Sequence, residues 1–320
     1  MTSEFDLIRR HFTRPTRHTD LAGGDDAALW RTTPGHQLVV SVDMLVEGRH
    51  FFANTDPTDL GWKSLAVNVS DIAAMGATPR WALLALALPD ADADWLAAFA
   101  DGFYACADAF GVDLVGGDTT RGPRNLSVTM CGEVPTGHAI RRDGARPGDD
   151  LWVSGQPGRA ALALWHLRDA LTLDPGHRDA CLAALHRPQP RAALGVALRG
   201  VASAMLDVSD GLLGDLGHIL DASAVGAQIL ATQLPEAALI AACGDTTRAR
   251  QACLSGGDDY ELLFTAPAAQ RDAIARLSTE LALPLHRIGA LTPPADGLTL
   301  HAADGSTAPL ARRGFDHFSA

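Results

Sequence analysis

Nine aspartates in this chain stand beside glycine or serine, or close an apolar run: Asp25, Asp26, Asp43, Asp71, Asp118, Asp207, Asp210, Asp258 and Asp259. Glycine allows the backbone to approach a ligand closely, and Ser41 and Ser209 add hydroxyls to the same stretches. Carboxylates, hydroxyls and carbonyls in this number match hard cations, Mg²⁺ in particular. No His/Cys group has zinc spacing, and no calcium-loop spacing occurs. Any single Asp–Gly pair is an ordinary turn former, so the argument rests on their joint occurrence.

Magnesium held by a few carboxylates, with waters retained, is the usual companion of nucleotide phosphates. The phosphate clamps of other folds are missing. Gly61-Trp-Lys-Ser64 has no upstream glycine at P-loop spacing, and neither the protein-kinase signature set nor a dinucleotide G-x-G-x-x-G is present. Lys63 is the only lysine, so a lysine clamp on phosphate is nearly unavailable, and anionic substrates would arrive with metal ions. The residues by themselves indicate a Mg-nucleotide enzyme and stop there. They leave open an ATP-dependent synthetase and a non-catalytic Mg-nucleotide-binding protein.

Elements must position these side chains. Asp56 as N-cap, Pro57 at the first helical position and Gly76 at the left-handed end delimit a helix. On it Leu65, Val69 and Ile72 share one face, while Ser64, Asn68 and Asp71 form a polar stripe on another. A carboxylate in such apolar company is costly unless it is paired or binds a metal. The β-branched run Gln37–Val42 predicts a strand ending at Asp43, and the loop after it, 44–55, carries His50. Further strands are predicted over Trp81–Leu88, Val112–Val115 and Leu126–Val134, with a helix from Asp92 to Phe110. Gly116-Gly-Asp118 is expected as the loop after the Val112–Val115 strand. The alternation gives an α/β or α+β fold. A turn cluster at Arg146-Pro-Gly-Asp-Asp150 places the domain boundary, giving domains 1–145 and 146–320. The second half has strands at Leu151–Ser154 and Leu262–Thr265, a helix from Gly158 and a proline-locked connection, His186–Arg191. Gly-Gly-Asp occurs at 23–25, 116–118 and 256–258, and Val-Ser-Asp at 69–71 and 208–210, an echo that suggests two related halves.

Composition narrows the class. The 320 residues are 47% hydrophobic and 20% charged, which describes a globular chain with an ample core. A net charge of −12 argues against nucleic acid as a partner. No apolar run reaches membrane-spanning length and the amino-terminal stretch is not a signal peptide, so neither a membrane nor export is expected. Five scattered cysteines form neither a C-x-x-C pair nor a disulfide framework, which indicates a reducing cytoplasm.

Ser41-Val-Asp43-Met-Leu-Val-Glu-Gly-Arg-His50-Phe, Lys63 through Pro79, Gly116-Gly-Asp-Thr-Thr-Arg-Gly122, Asp207-Val-Ser-Asp210-Gly-Leu-Leu213 and Ser255 through Leu262 resemble, in order, the thiamine-monophosphate kinases. The resemblance covers essentially the whole chain. It implies the two-domain fold of the aminoimidazole ribonucleotide synthetase superfamily, whose N-terminal sheet joins a partner's in a homodimeric barrel. The reaction it implies is ATP plus thiamine monophosphate giving thiamine diphosphate and ADP. By matching motif, Asp26, Ser41, Val42 (through its carbonyl), Asp43, Asp71, Asp118, Asp207 and Asp210 would hold several Mg²⁺ ions. Gly117, Asp118, Arg142 and Ser209 would contact ATP, and His50 and Asp258 thiamine monophosphate. Asp258 stands where relatives often carry glutamate. Arg312 stands where the family often places an aromatic against the thiamine, and Phe315 offers a ring nearby in sequence. No early cysteine nucleophile is present, as a selenophosphate synthetase would need, and no C-terminal cysteine, as in the hydrogenase-maturation relatives. The acceptor is already an oxyanion, so no general base is required and direct in-line transfer is expected.

Overall fold

The computed structural model describes residues 4–311 and 314 and divides into two compact units, 1–73 with 77–137, and 74–76 with 138–320. In the first, α1 (Glu4–His11), β1 (Thr19–Leu21) and β2 (Leu29–Trp30) lead into β3 (His36–Val46) and α2 (Pro57–Ala74). Then follow β4 (Thr78–Leu88), α3 (Ala93–Phe110), β5 (Asp113–Arg121) and β6 (Asn125–Pro135). The sheet order is β3-β6-β4-β5; β4 and β5 run parallel and the other pairs antiparallel.

One face of this sheet is closed by helix packing. Gly132 of β6 admits α2, because a Cβ there would lie 2.5 Å from Ile72. Gly61 of α2 and Gly102 of α3 let these helices touch backbone to backbone, since a Cβ at either would fall 2.0 Å or less from the other helix's carbonyl oxygen. Leu65, Val69, Ile72, Phe99 and Phe103 are fully buried there. Alternation along each strand sends Leu126, Val128 and Met130 of β6, and Ala82, Leu84 and Leu86 of β4, into the same core. The opposite face carries an uncovered apolar row on β3: Leu38, Val40, Val42 and Met44.

The helix caps follow the sequence. The Asp56 carboxylate accepts the Thr58 and Asp59 N–H groups, the Asp92 carboxylate those of Asp94 and Trp95, and Gly76 is left-handed at φ 65°. Two expectations fail. The strand β3 does not stop at Asp43 but pairs with β6 through Val46, so Asp43 lies inside the ladder. Likewise Gly116-Gly-Asp118 is not a loop; it continues β5, paired with β4 as far as Arg121. In both cases cross-strand pairing outweighs the low strand propensity of aspartate and glycine.

The second unit runs β7 (Asp150–Ser154), α4 (Arg159–Leu167), α5 (Pro175–His186), α6 (Ala192–Ala197), β8 (Ala204–Asp207), α7 (Leu212–Ser223) and β9 (Gly226–Leu230). It continues with α8 (Ala237–Cys243), α9 (Thr246–Ser255), β10 (Leu262–Ala266), α10 (Arg271–Glu280), β11 (Leu285–Thr292), β12 (Leu298–His301) and β13 (Thr307–Pro309). Its seven-stranded sheet has the order β13-β12-β9-β11-β7-β10-β8, and only β12 with β9 is parallel. Leu151, Val153, Leu206, Ile229, Leu263 and Ile288 supply its core.

The echoed tripeptides do not fall at equivalent places. Val69-Ser-Asp71 is helical within α2, whereas Val208-Ser-Asp210 follows β8. Gly-Gly-Asp lies in a bend at 23–25, in β5 at 116–118 and in a loop at 256–258. The repeated triplets therefore give no support for two related halves.

Candidate functional site

In the N-terminal unit, β3 and α2 bring the predicted polar stripe against the strand. Ser41 Oγ donates to Asp71 Oδ2 at 2.5 Å, and the Asp43 N–H donates to Asn68 Oδ1 at 2.9 Å. Asn68 is oriented by its own Nδ2, which donates to the Ser64 carbonyl at 3.0 Å, while Ser64 Oγ donates to the Gly61 carbonyl at 2.9 Å. The i, i+4, i+7 spacing thus has a purpose: Ser64 fixes Asn68, Asn68 fixes the Asp43 backbone, and Asp71 meets Ser41. Strand alternation puts Ser41 and Asp43 on one face and turns the 60%-exposed Val42 side chain to the other. The Val42–Asp43 peptide aims its N–H at Asn68, so in a trans peptide the Val42 carbonyl points the opposite way.

The donors here are all oxygen, which suits Mg²⁺. Among the described residues no three His, Cys, Asp or Glu side chains form a metal-holding group. An ion at Asp43 and Asp71 would complete its shell with water or phosphate oxygens, as magnesium commonly does.

Gly117 and Asp118 sit at the other side of the same sheet. The register runs Asp43–Val128–Leu84–Gly117 across the four strands, so the sheet sets them three strand spacings apart, roughly 14 Å. A Cβ at Gly117 would lie 1.8 Å from the Leu84 carbonyl oxygen, so only glycine fits. A cavity of about 390 Å³ borders this strand, lined by Leu7, Leu88, Pro89, Ala91, Thr119 and Arg121 among others. Asp26 lies on an exposed bend whose Asp25 carboxylate accepts the Asp26 N–H at 2.8 Å. The chain entering β1, ahead of that bend, is anchored by buried Asp113, which accepts the Arg17 and His18 N–H groups and the Thr19 hydroxyl. His50 is held by its own turn: the Val46 N–H donates to His50 Nδ1 at 2.9 Å. That bond leaves the imidazole proton on Nε2, so neutral His50 presents a donor.

In the C-terminal unit the stretches 207–210 and 258–261 are laced together. The Val208 N–H donates to the Glu261 carbonyl, Asp258 N–H to the Ser209 carbonyl and Tyr260 N–H to the Val208 carbonyl, all at 2.8–2.9 Å. Asp207, Ser209, Asp210 and Asp258 are thereby gathered. Asp215 in the first turn of α7 accepts the Ser209 and Asp210 N–H groups, each at 3.0 Å. Burial and the charge of Asp210 push its carboxyl up to about 7. Arg142 is exposed in the loop after the N-terminal unit, with its carbonyl accepting from Ser223 Oγ. Arg312 and Phe315 lie outside the described residues.

Residues 24–134 match the family model for AIR synthase related protein, N-terminal domain, and 146–300 that for its C-terminal domain. The thiamine-monophosphate kinase of Salmonella typhimurium is 42% identical over 320 residues, covering 99% of this chain and 98% of the relative. This chain belongs to the thiamine-monophosphate kinase family. A solved thiamine-monophosphate kinase from Stenotrophomonas maltophilia is 49% identical with a TM-score of 0.84, covering 94% of this chain and 95% of the other. AaThiL, solved in complex with AMPPCP and TMP, is 29% identical with a TM-score of 0.77 and covers 98% of this chain and 96% of the other. The two-domain fold expected from the resemblance is that of this family. Of the groups that hold the site, Asn68, Asp113, Asp215 and Glu261, the sequence singles out only Asn68. Asn68 carried a signal, since it sits on the polar stripe. The other three look like ordinary helix-turn or strand-flanking acids until their backbone partners are known.

Proposed function

We propose that this chain transfers the γ-phosphoryl group of ATP to the phosphate of thiamine monophosphate, giving thiamine diphosphate and ADP. The observation that carries the reading is the Ser41–Asp71 and Asp43–Asn68 linkage of β3 to α2, set in a chain 42% identical to a named kinase over its full length. It brings Ser41 and Asp43 of one strand face against Asp71 of α2, with oxygen as the donor type of all three. Ser41, Asp43 and Asp71 would hold magnesium in the N-terminal unit, with Asp26 and Asp118 also assigned to it; Asp207 and Asp210 would do so in the C-terminal unit. Bound magnesium would neutralise phosphate charge and favour an in-line approach of two polyanions. Gly117, Asp118, Arg142 and Ser209 are assigned to ATP. Gly117, lacking a side chain, exposes its backbone at a strand edge, and the exposed Arg142 guanidinium can pair with phosphate. His50 offers its Nε2–H to the acceptor phosphate, and Asp258 offers a carboxylate to the cationic thiamine. The acceptor oxygen is already anionic, so no residue is asked to remove a proton.

The reading extends to a homodimer. Leu38, Val40, Val42 and Met44, at 43%, 56%, 60% and 54% exposure, form an apolar row of a kind that a second sheet covers. Among the described residues no helix is long and apolar enough to cross a membrane. The five free cysteines suit a reducing cytoplasm.

The test is incubation with Mg-ATP and thiamine monophosphate, reading products by mass. Equal amounts of thiamine diphosphate and ADP support the assignment. ADP release without thiamine diphosphate, or a phosphorylated protein after ATP alone, refutes it.

A further inference from the structure

The segment Asp258-Asp-Tyr-Glu261 is held in a backbone shape its residues disfavour. Asp258 and Tyr260 both have positive φ, 67° and 53°, a region that costs a residue with a side chain on the order of 1 kcal/mol or more. Between and after them stand two carboxylates that point inward. Asp259 accepts the Gly158 N–H at 2.9 Å to each oxygen, which ties the segment to the start of α4. Glu261, only 4% exposed, is saturated: Arg191 donates through Nε at 2.7 Å and Nη2 at 2.6 Å, Ser154 Oγ at 2.6 Å and the Gln156 N–H at 3.2 Å. Gly155 leaves room for this carboxylate, because a Cβ there would fall 1.8 Å from Glu261 Oε1.

A buried ion pair is a poor device for stability, since desolvating both charges consumes most of their attraction. It is a good device for fixing one geometry against strain. The Glu261 carbonyl also accepts the Val208 N–H, so the same residue links the segment to the loop that begins at Asp207. We propose that Arg191 and Glu261 are positioning residues: the fork of half-buried Arg191 on buried Glu261 holds the left-handed Asp258–Tyr260 segment so that the Asp258 carboxylate meets the acceptor substrate. Asp259 does the same from the α4 side. The inference rests on the assignment of thiamine monophosphate as acceptor.

The double variant R191M/E261Q tests it. Both charges leave together, the amide introduced by E261Q keeps an oxygen for Ser154, and no unpaired buried ion remains. The expected result is a melting temperature close to wild type, with the KM for thiamine monophosphate raised roughly tenfold to a hundredfold and the KM for ATP nearly unchanged. Arg191→Lys, which keeps the charge but cannot make both bonds, should give a smaller rise in the same parameter. If the double variant does not fold, Arg191→Lys carries the test. A KM for thiamine monophosphate equal to wild type in a folded variant overturns the inference and leaves the substrate assignment standing. A wild-type chain that makes no thiamine diphosphate refutes the assignment and the inference with it.

Discussion

The two acidic clusters of this protein are built on opposite principles. In the N-terminal unit the donors ride on regular elements, Ser41 and Asp43 on β3 and Asp71 on α2, and the side chains themselves make the cross-links. In the C-terminal unit Asp207 closes β8, while Ser209, Asp210 and Asp258 lie on irregular backbone held by main-chain bonds and by buried acids beneath. The first arrangement is rigid because a helix and a strand are rigid. The second is rigid only while Asp215, Asp259 and Glu261 keep their partners. A helix and a strand fix the oxygens they carry by their own geometry, whereas loops supply a contour that their buried acids must hold.

The comparison is broken most directly at its rigid side. Asp71→Asn keeps the shape but removes a charge from the β3–α2 cluster, so turnover at fixed Mg²⁺ should fall by on the order of 10²–10³ while the melting temperature hardly moves. Steady-state rates over a magnesium titration check this, and unchanged turnover at low Mg²⁺ would defeat the role. On the loop side, Asp215→Ala strips two backbone bonds from Ser209 and Asp210. It should raise the KM for ATP about tenfold and lower stability by about 1–3 kcal/mol, measured by kinetics and chemical denaturation together. Ser41→Ala removes one hydroxyl from a frame that α2 and β3 still hold, and should cost only a few-fold in rate, roughly 1 kcal/mol. Should Ser41→Ala prove as damaging as Asp71→Asn, the hydroxyl is itself essential and the frame is less rigid than argued.

The smallest effect lies away from both clusters. Burial pushes the Asp150 carboxyl up, but hydrogen bonds from Arg271 and Arg287 prevail and hold it below its ordinary value of 3.8. A depressed folded-state value means the contribution is fully present above pH 3.8 and is lost as pH falls through the lower folded value. Denaturation of Asp150→Asn should accordingly converge on wild type as the pH drops below about 4, with the difference restored at neutral pH.

The helices were largely legible in the sequence, because their determinants are local. Asp56, Pro57 and Gly76 delimit α2 through contacts within a few residues, and the 3.6-residue period assigns Leu65 and Asp71 to their faces. Strand extents were less legible. Asp43 and Gly116-Gly-Asp118 read as breakers, and only pairing with β6 and β4, dozens of residues away, makes them strand. The site divides in the same manner. Asp71 advertises itself as a carboxylate in an apolar helix. Glu261 does not, since nothing local foretells a partner at Arg191, 70 residues away. The tripeptide echoes misled for the complementary reason: three residues do not fix a conformation, and Val-Ser-Asp is helical once and a strand-to-helix loop once.

The central claim is that the β3–α2 cluster holds magnesium for phosphoryl transfer. It is tested most directly by titrating Mn²⁺, as a spectroscopic stand-in for Mg²⁺, into wild type and Asp71→Asn with a non-hydrolysable ATP analogue present. The account predicts that the variant loses at least one of the ions bound by wild type, with its fold intact by circular dichroism. Equal numbers of ions bound with equal affinity in the two proteins would contradict it.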